Sequence, residues 1–335
     1  MKNVLYFLPL LLLSCANKHE VDLSNIDISY NIIRYDSLLF GAEINKYPVY
    51  FDKVYKDHPE FTKIYCENIY KLGALEADQF NLSKELKYLI TNPDIQNIYK
   101  ESQSIQTELP DGLEELDLAL KYFNYHFPKI NTPDIYIYNG KFEYASIIGQ
   151  NFIGIAKEMC LGKDHPYLKN SGMPQYLARK LNVEHMPVHA LQNLLITNFP
   201  QQSADHLLDF MIYNGKILYC MDAILPFKAD SIKIGYGDGK IEWCRQNENE
   251  IWSWLMKHDL LYNAQQTEFL KLTMDGPNTA GMPAAAPGNI ASYMGWNIVR
   301  QYMEKYPETT LVELMTSPGL FKGENILNRS GYKPR

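Results

Sequence analysis

Helical periodicity runs through most of the chain, and it limits the possible folds more than any other feature of the sequence. Apolar residues recur three or four positions apart across 44–126, where Pro59, Pro93 and Pro110 mark helix boundaries. The same spacing returns across 174–316. The pattern predicts an α+β protein that is mostly α-helical. The predicted helices cover 44–57, 59–72, 82–90, 93–101, 112–126, 174–181, 187–198, 203–224, 239–258, 264–272, 289–305 and 309–315.

The helical pattern is interrupted between 133 and 157 by short segments that are typical of strands. They are rich in isoleucine and aromatic residues, and Asn139-Gly140, which follows the first of them, favours a hairpin turn. One more alternating segment lies near the start of the chain and should end at Arg34-Tyr35-Asp36. We therefore expect a small antiparallel sheet. Its predicted strands are Ile26–Ile32, Ile135–Tyr138, Ala145–Ile148 and Phe152–Ala156.

The composition supports a folded core and excludes some classes of protein. Of 335 residues, 46% are hydrophobic and 13% are aromatic, which supplies enough apolar surface to offset the entropy lost on folding. The formal net charge is −7, and no run of lysine and arginine could track a phosphate backbone. The sequence thus argues against a disordered chain and against nucleic-acid binding. It predicts no cofactor and no small-molecule substrate.

The first fifteen residues resemble the signal peptide of a bacterial lipoprotein. Lys2 precedes an apolar stretch, and Leu12-Leu13-Ser14-Cys15 has the aliphatic and small residues that a lipobox requires before its cysteine. The stretch is too short to cross a hydrocarbon core of about 30 Å, and no later window reaches the ~18 apolar residues of a spanning helix. We expect removal of 1–14, acylation of Cys15 and a lipidated tether over 15–24. A single globular domain over 25–335 should follow. The alternative is an ordinary secretory signal with a chance cysteine.

Four other cysteines are present, and an oxidising compartment would permit two disulfides between them. There is no CxxC pair, and a chain of this length needs no covalent staples. Cys66 and Cys220 lie among apolar residues, as small hydrophobic side chains do. We therefore predict that Cys66, Cys160, Cys220 and Cys244 are buried free thiols.

Two histidines, His185 and His189, are four residues apart, which on one helix would direct both imidazoles to a common metal. Pro187 lies between them and fits best at a helix N-terminus, which would leave His185 outside the helix. A glycine-rich segment, Ile234–Gly239, follows a strand-like Ser231-Ile232-Lys233 and imitates a phosphate-binding loop. Its glycines have the spacing GxGxG and not GxGxxG, so we interpret it as a turn.

Two tripeptides, Asp36-Ser37-Leu38 and Asp230-Ser231-Ile232, resemble the O-glycosylation acceptor of Bacteroidetes envelope proteins. Ser37 and Ser231 would be the modified residues. The alternative is that each tripeptide forms a side-chain-capped turn at the boundary of a helix or strand.

Six segments carry a resemblance to a known family, namely Phe152–Gly162, Gly172–Tyr176, Met211–Tyr219, Asp230–Tyr236, Gly295–Met303 and Lys333–Arg335. Together they resemble the gliding-motility lipoprotein GldB family of Bacteroidetes. With the lipobox, the similarity covers most of the mature chain. The resemblance implies a lipid-anchored envelope protein of the gliding motility and type IX secretion apparatus, without established enzymatic activity. Its partners would be the membrane, through Cys15, and other gliding and secretion proteins, on the periplasmic side of either membrane.

The same region is similar to zincin-like predicted zinc peptidases, whose HExxH helix and a following acidic residue hold the metal. His189 would occupy the first ligand position, Ala190 the general base, Asn193 the second ligand and Asn214 the third. Alanine accepts no proton, and neutral amides bind zinc poorly. The resemblance therefore implies a degenerate zincin-like scaffold without metal or catalysis. Alternatively, His189 is an ordinary core histidine and the similarity is fortuitous.

Two functional alternatives remain open. The preferred hypothesis is an interaction protein that docks through aromatic-rich surfaces. The other is an envelope hydrolase, either a divergent zinc metallopeptidase or an enzyme that uses Glu158, Asp209 or Asp222. The loop 275–289 is long and nearly uncharged. It is interpreted either as a mobile linker or as a segment that orders over a groove when a partner binds.

Overall fold

A four-stranded mixed sheet lies at the centre of the protein. The computed structural model describes residues 21–334 except 42–45, 76–78 and 106–108. Within these ranges the strand order is β1-β2-β4-β3. β1 pairs with β2 and β2 with β4 in parallel, whereas β3 and β4 form an antiparallel hairpin. The strands are β1 (Ile32–Arg34), β2 (Asp134–Tyr138), β3 (Ser146–Ile148) and β4 (Phe152–Ala156).

Helices surround the sheet. In the N-terminal part they are α1 (Tyr35–Phe40), α2 (Tyr47–Asp57), α3 (Pro59–Ile64) with a π-helical turn at Tyr65–Ile69, α4 (Gln79–Ile90), α5 (Pro93–Ser104) and α6 (Leu109–His126). After the sheet follow α7 (Pro166–Asn170), α8 (Gln175–Ala178), α9 (Met186–Asn198), α10 (Leu207–Ile224), α11 (Asp230–Ile234), α12 (Lys240–Gln246), α13 (Glu248–Lys257), α14 (Gln266–Thr273), α15 (Ile290–Lys305), α16 (Leu311–Thr316) and α17 (Gly323–Ser330).

The two faces of the sheet are buried in two different hydrophobic clusters. Because side chains alternate along a strand, Ile135 and Ile137 of β2 face one cluster and Tyr138 faces the other. The first cluster contains α6, α9, α10 and α15, and the second contains α1–α4. Sheets that carry parallel pairs are commonly covered on both faces, as here. Part of the predicted helical layer 44–126 therefore lies elsewhere, because α6 packs on the opposite face from α2–α4.

The crossing of α10 and α15 forms the centre of the larger cluster. Gly215 and Gly295 lie where the two backbones meet, and a Cβ atom at Gly295 would stand 1.7 Å from the carbonyl oxygen of Met211. Nearly all of α10 is buried, which fits its almost continuous apolar sequence. The two glycines thus allow an approach that no larger residue permits.

The predicted mostly helical α+β class is confirmed. The predicted strand Ile26–Ile32 is wrong, because regular pairing begins at Ile32. The amide of Ile135 donates to the carbonyl of Asn31 (2.8 Å), and the preceding residues are extended but make no ladder. The strand-like segment Ser231-Ile232-Lys233 belongs instead to α11, which ends at Gly235 with a left-handed φ of 73°.

The predicted hairpin turn at Asn139-Gly140 and the fully antiparallel pairing are also wrong. β3 lies beyond β4, so β2 and β3 do not pair. Asn139 is buried instead, and its side-chain amide donates to Ser102 Oγ (3.0 Å). The backbone amide of Gly140 donates to Glu158 Oε1 (2.8 Å). These polar contacts hold Asn139 and Gly140 against α5 and Glu158 instead of at a hairpin tip.

Candidate functional site

A cavity of about 350 Å³ lies beside the N-terminus of α9. Its walls come from the β2–β3 loop, α8, α9 and α11, and from both ends of the loop 275–289. His185 and His189 line it, together with Lys180 and Asp275. The cavity is therefore lined by the two histidines that the sequence pattern identified, and also by charged residues that it did not identify.

Pro187 determines how the two histidines are presented. α9 begins at Met186, and His185 belongs to the preceding 3-10 turn, so the predicted position of His185 outside the helix is confirmed. The two ring centroids are nevertheless only 6.3 Å apart. A proline in the first turn lacks only a donor that would be unpaired there anyway, so the helix start is favourable.

Hydrogen bonds define the tautomer of each imidazole. His189 Nε2 lies 3.0 Å from the backbone carbonyl of Lys180, which only accepts, so Nε2 carries the proton. His185 Nδ1 lies 2.9 Å from Asn182 Oδ1. The amide group of Asn182 donates to the carbonyl of Arg179, which identifies Oδ1 as the acceptor for His185. Neutral rings therefore leave His185 Nε2 and His189 Nδ1 unprotonated.

Burial keeps both rings neutral. It lowers the pKa of His185 to about 4, and neighbouring positive charges act in the same direction. Burial also lowers the pKa of His189, against the opposing hydrogen bond to Lys180. At neutral pH the cavity therefore contains two uncharged imidazoles.

An ion pair closes the rim of the cavity. Lys180 Nζ binds Asp275 Oδ2, which joins the end of α8 to the beginning of the loop 275–289. Gly235 makes room for this arrangement, because a Cβ atom there would lie 2.5 Å from Lys180 Cε. Lys180 and Asp275 were missed by the sequence analysis. They are 95 residues apart, and no spacing pattern connects them.

The loop 275–289 is anchored to the rest of the protein at a few buried residues. Thr279 and Ala286 are fully buried, and Thr279 Oγ1 donates to the carbonyl of Pro287. The two ends meet at Gly276 and Gly288, where a Cβ atom on Gly288 would lie 2.3 Å from the amide nitrogen of Gly276. The two ends of the loop therefore contribute to the cavity wall, and its ordering over the cavity when a partner binds stays a prediction.

The positions aligned with a zincin site make other contacts. Ala190 is fully buried. The side-chain amide of Asn193 donates to Ser146 Oγ (2.7 Å) in β3. That of Asn214 donates to Ser292 Oγ (2.8 Å). Within the described ranges, no three His, Cys, Asp or Glu side chains are arranged to hold a metal ion.

Ser292 also connects Asn214 to the cavity wall. Its hydroxyl lies 2.5 Å from the side-chain oxygen of Asn289, which lines the cavity. Asn214 is therefore linked to the cavity lining through Ser292 and Asn289, and does not itself line the cavity. The hydrogen bonds of Asn193 and Asn214 fix the positions of neighbouring elements. Among the described residues, the aligned positions form no set of metal ligands.

The three carboxylates considered for hydrolysis lie in three separate environments. Asp222 is 4% exposed and accepts from Lys233, Trp296 and Arg300. Asp209 accepts from the backbone amide of Gly323 (2.8 Å) and thereby anchors α17. All three hold structural elements together, and only Glu158 has an oxygen without a partner among the described residues, namely Oε2.

Glu158 anchors the loop that forms one cavity wall. Its Oε1 accepts from the amide of Gly140, and Phe142, which lines the cavity, follows in the same loop with a left-handed φ of 58°. Burial raises the pKa of Glu158 to about 7, although its backbone hydrogen bonds act against this change. The carboxyl group is 1% exposed and cannot reach a substrate.

The remaining predicted sites are the acylated cysteine, the two glycosylation serines and the four other cysteines. Cys15 lies outside the described residues. Ser37 lies in α1 and Ser231 in α11, and the preceding aspartates bind Arg34 and Arg300 respectively. Their glycosylation stays a prediction. The prediction of buried free thiols is confirmed at Cys66, Cys160, Cys220 and Cys244.

Comparison with known proteins identifies the family. A family model described as gliding motility protein GldB matches residues 16–334. Neither the curated proteins nor the solved structures contain a significant match. The similarity to zincin-like peptidases is not shown by these comparisons and stays a prediction. Because the family match covers nearly the whole chain, the protein belongs to the family of the gliding motility protein GldB.

Proposed function

We propose that this protein is a lipid-anchored envelope component of the gliding motility and type IX secretion apparatus, and that it acts by binding other proteins and not by catalysis. The family assignment supports the role in motility. The lipobox supports the anchor, with acyl chains on Cys15 that hold the protein at a membrane. In the part of the chain that the structure describes, no helix is long and apolar enough to span a bilayer.

The main support for a non-catalytic role is that most candidate catalytic side chains already form hydrogen bonds or ion pairs within the protein. Asn193 and Asn214 hold neighbouring elements, and the carboxylates of Asp209 and Asp222 are saturated by internal donors. Hydrolysis needs an activated water beside a base or a metal. The described residues provide a cavity with two neutral imidazoles, and the two carboxylates of its lining, Glu143 and Asp275, are both in ion pairs.

Replacement of the acylated cysteine tests the anchored role in cells. Cys15→Ser, with a secretory signal peptide that is cleaved without lipidation in place of residues 1–14, should give an unacylated protein in the soluble envelope fraction and non-gliding cells. Ser14→Ala is the matched control, because alanine keeps the small residue before the cysteine and should preserve acylation and gliding. Normal gliding of cells that contain only the unacylated Cys15→Ser protein would overturn the anchored role.

The competing function is a divergent envelope zinc metallopeptidase or another hydrolase. Its support is that two imidazoles face one cavity and leave unprotonated nitrogens. Metal analysis of protein purified from its own cells without chelators distinguishes the two functions. The proposal predicts no stoichiometric zinc, whereas one tightly held zinc ion per chain would support the peptidase.

A further inference from the structure

The lining of the cavity beside α9 combines apolar side chains with polar ones. Met159, Met173, Leu177, Leu181 and Val188 form much of its wall. Its volume of about 350 Å³ lies at the small end of the range for ligand sites. Such a space is large enough for one aromatic side chain.

Each of the two imidazoles in the lining offers one hydrogen-bond acceptor. With their protons used in bonds to Lys180 and Asn182, His189 Nδ1 and His185 Nε2 each present a lone pair. Among the described residues, neither nitrogen has a hydrogen-bond partner. A ligand that brings an N–H or O–H donor would satisfy one of them, whereas a purely apolar ligand would desolvate both at a cost.

Each charged residue of the lining forms an ion pair with a residue of opposite charge. Lys180 pairs with Asp275, Lys233 with Asp222, and Glu143 with Lys71. No uncompensated charge therefore remains to stabilise an ionic ligand. Because burial of an unpaired ion is costly, a neutral ligand fits this cavity best.

The opening of the cavity carries exposed apolar side chains. Leu177 lines the cavity and is also 36% exposed, and Tyr144, between the lining residues Glu143 and Ala145, is 45% exposed. A ligand that continues as a polypeptide would contact these side chains as it leaves the cavity. The surface thus favours a group presented by a protein over a free small molecule.

We propose that this cavity receives a tyrosine or tryptophan side chain of a partner protein, whose O–H or N–H donates to the unprotonated nitrogen of His185 or His189. Both side chains combine a large apolar ring with one donor, and both are common anchors of protein interfaces. This inference rests on the proposed interaction function and identifies the part of the partner that the cavity recognises.

Titration of the purified acylated chain in detergent with N-acetyl amides of single amino acids tests the inference. The amides of tyrosine and tryptophan should bind about tenfold more tightly than that of phenylalanine, which lacks the donor. The arginine and glutamate amides should not bind measurably. Equal affinity for tyrosine and phenylalanine, or no binding of any amide, would overturn the inference.

Three variants locate the binding. His185→Leu and His189→Leu each remove one acceptor, and at least one should abolish the preference for tyrosine over phenylalanine. His189→Gln retains an uncharged donor and acceptor and should keep the preference. His258→Leu is the matched control, because His258 is exposed on α13's C-terminal side and lies outside the cavity. Circular dichroism checks that each variant is folded, and an unchanged preference in both folded leucine variants would refute the role of the histidines.

The source of the ring is tested with the same titration. A short peptide that contains one tyrosine should bind more tightly than free phenol or indole, because the peptide also contacts the opening. Tighter binding of the free compounds would overturn the assignment to a partner protein. Failure of these binding tests would leave the Cys15→Ser result intact, so the two proposals can fail separately.

Discussion

The crossing of α10 and α15 predicts a large loss of stability in Gly295→Ala. The added Cβ atom would lie 1.7 Å from the Met211 carbonyl oxygen and 2.4 Å from its carbonyl carbon. A close carbon–oxygen contact is about 3.3 Å, so the two backbones must separate by roughly 1.6 Å. A shift of this size forfeits much of the dispersion energy across the central helix pair. We expect a loss at the upper end of overpacking costs, about 3 kcal/mol or more.

Thermal and urea unfolding measure this loss. At about 2 °C per kcal/mol for a large domain, the Tm of Gly295→Ala should fall by about 6 °C or more. Gly319→Ala is the matched control, because no atom outside its immediate neighbours lies within 4 Å of the added Cβ and its backbone is not left-handed. It should be neutral or slightly stabilising. A Gly295→Ala protein with unchanged Tm and urea midpoint would refute the proposed backbone contact.

Two further changes test the buried charged groups. Asp222→Asn removes the carboxylate that binds Lys233 and Arg300, and should lower the free energy of unfolding in urea by about 3 kcal/mol. Glu242→Gln, in an exposed ion pair, is the control and should change stability by less than about 0.5 kcal/mol. Equal effects of the two variants would contradict the structural role of Asp222. Burial, assisted by the Asp36 carboxylate, raises the pKa of Glu158 from 4.5 to about 7, so the folded chain holds this proton more tightly than the unfolded chain. The stability that this group contributes is present below pH 4.5 and is lost as the pH rises through 7. The free energy of unfolding of Glu158→Gln, relative to that of the natural protein, should therefore increase by on the order of 3 kcal/mol between pH 4.5 and pH 7. A difference that stays constant with pH would show that the carboxyl group is not buried as described.

Local signals in the sequence predicted the elements better than their pairing. Pro187 located the start of α9, and the isoleucine-rich segments located β2 and β4 to within a residue. These patterns depend on neighbours in the chain. The order of the strands depends instead on contacts between β1 and β2, which are about a hundred residues apart, and no local pattern reports such contacts.

The candidate site was predictable only in part for the same reason. His185 and His189 were visible as a pair because they are close in sequence. The Lys180–Asp275 ion pair and the neutralisation of Lys233 by Asp222 are tertiary contacts, and the sequence offered no signal for them. Asn139-Gly140 shows the opposite case, because a strong local turn preference is overridden by buried hydrogen bonds to Ser102 and Glu158.

The gliding speed of cells that carry His189→Gln tests most directly whether the protein works by binding and not by catalysis. Glutamine retains an uncharged donor and acceptor, but it supplies neither an imidazole base nor an imidazole ligand for zinc. The variant protein should be folded, acylated and present at the natural level, and the cells should glide at the natural speed. Non-gliding cells with normal amounts of folded, acylated variant that still prefers tyrosine over phenylalanine would contradict the non-catalytic account.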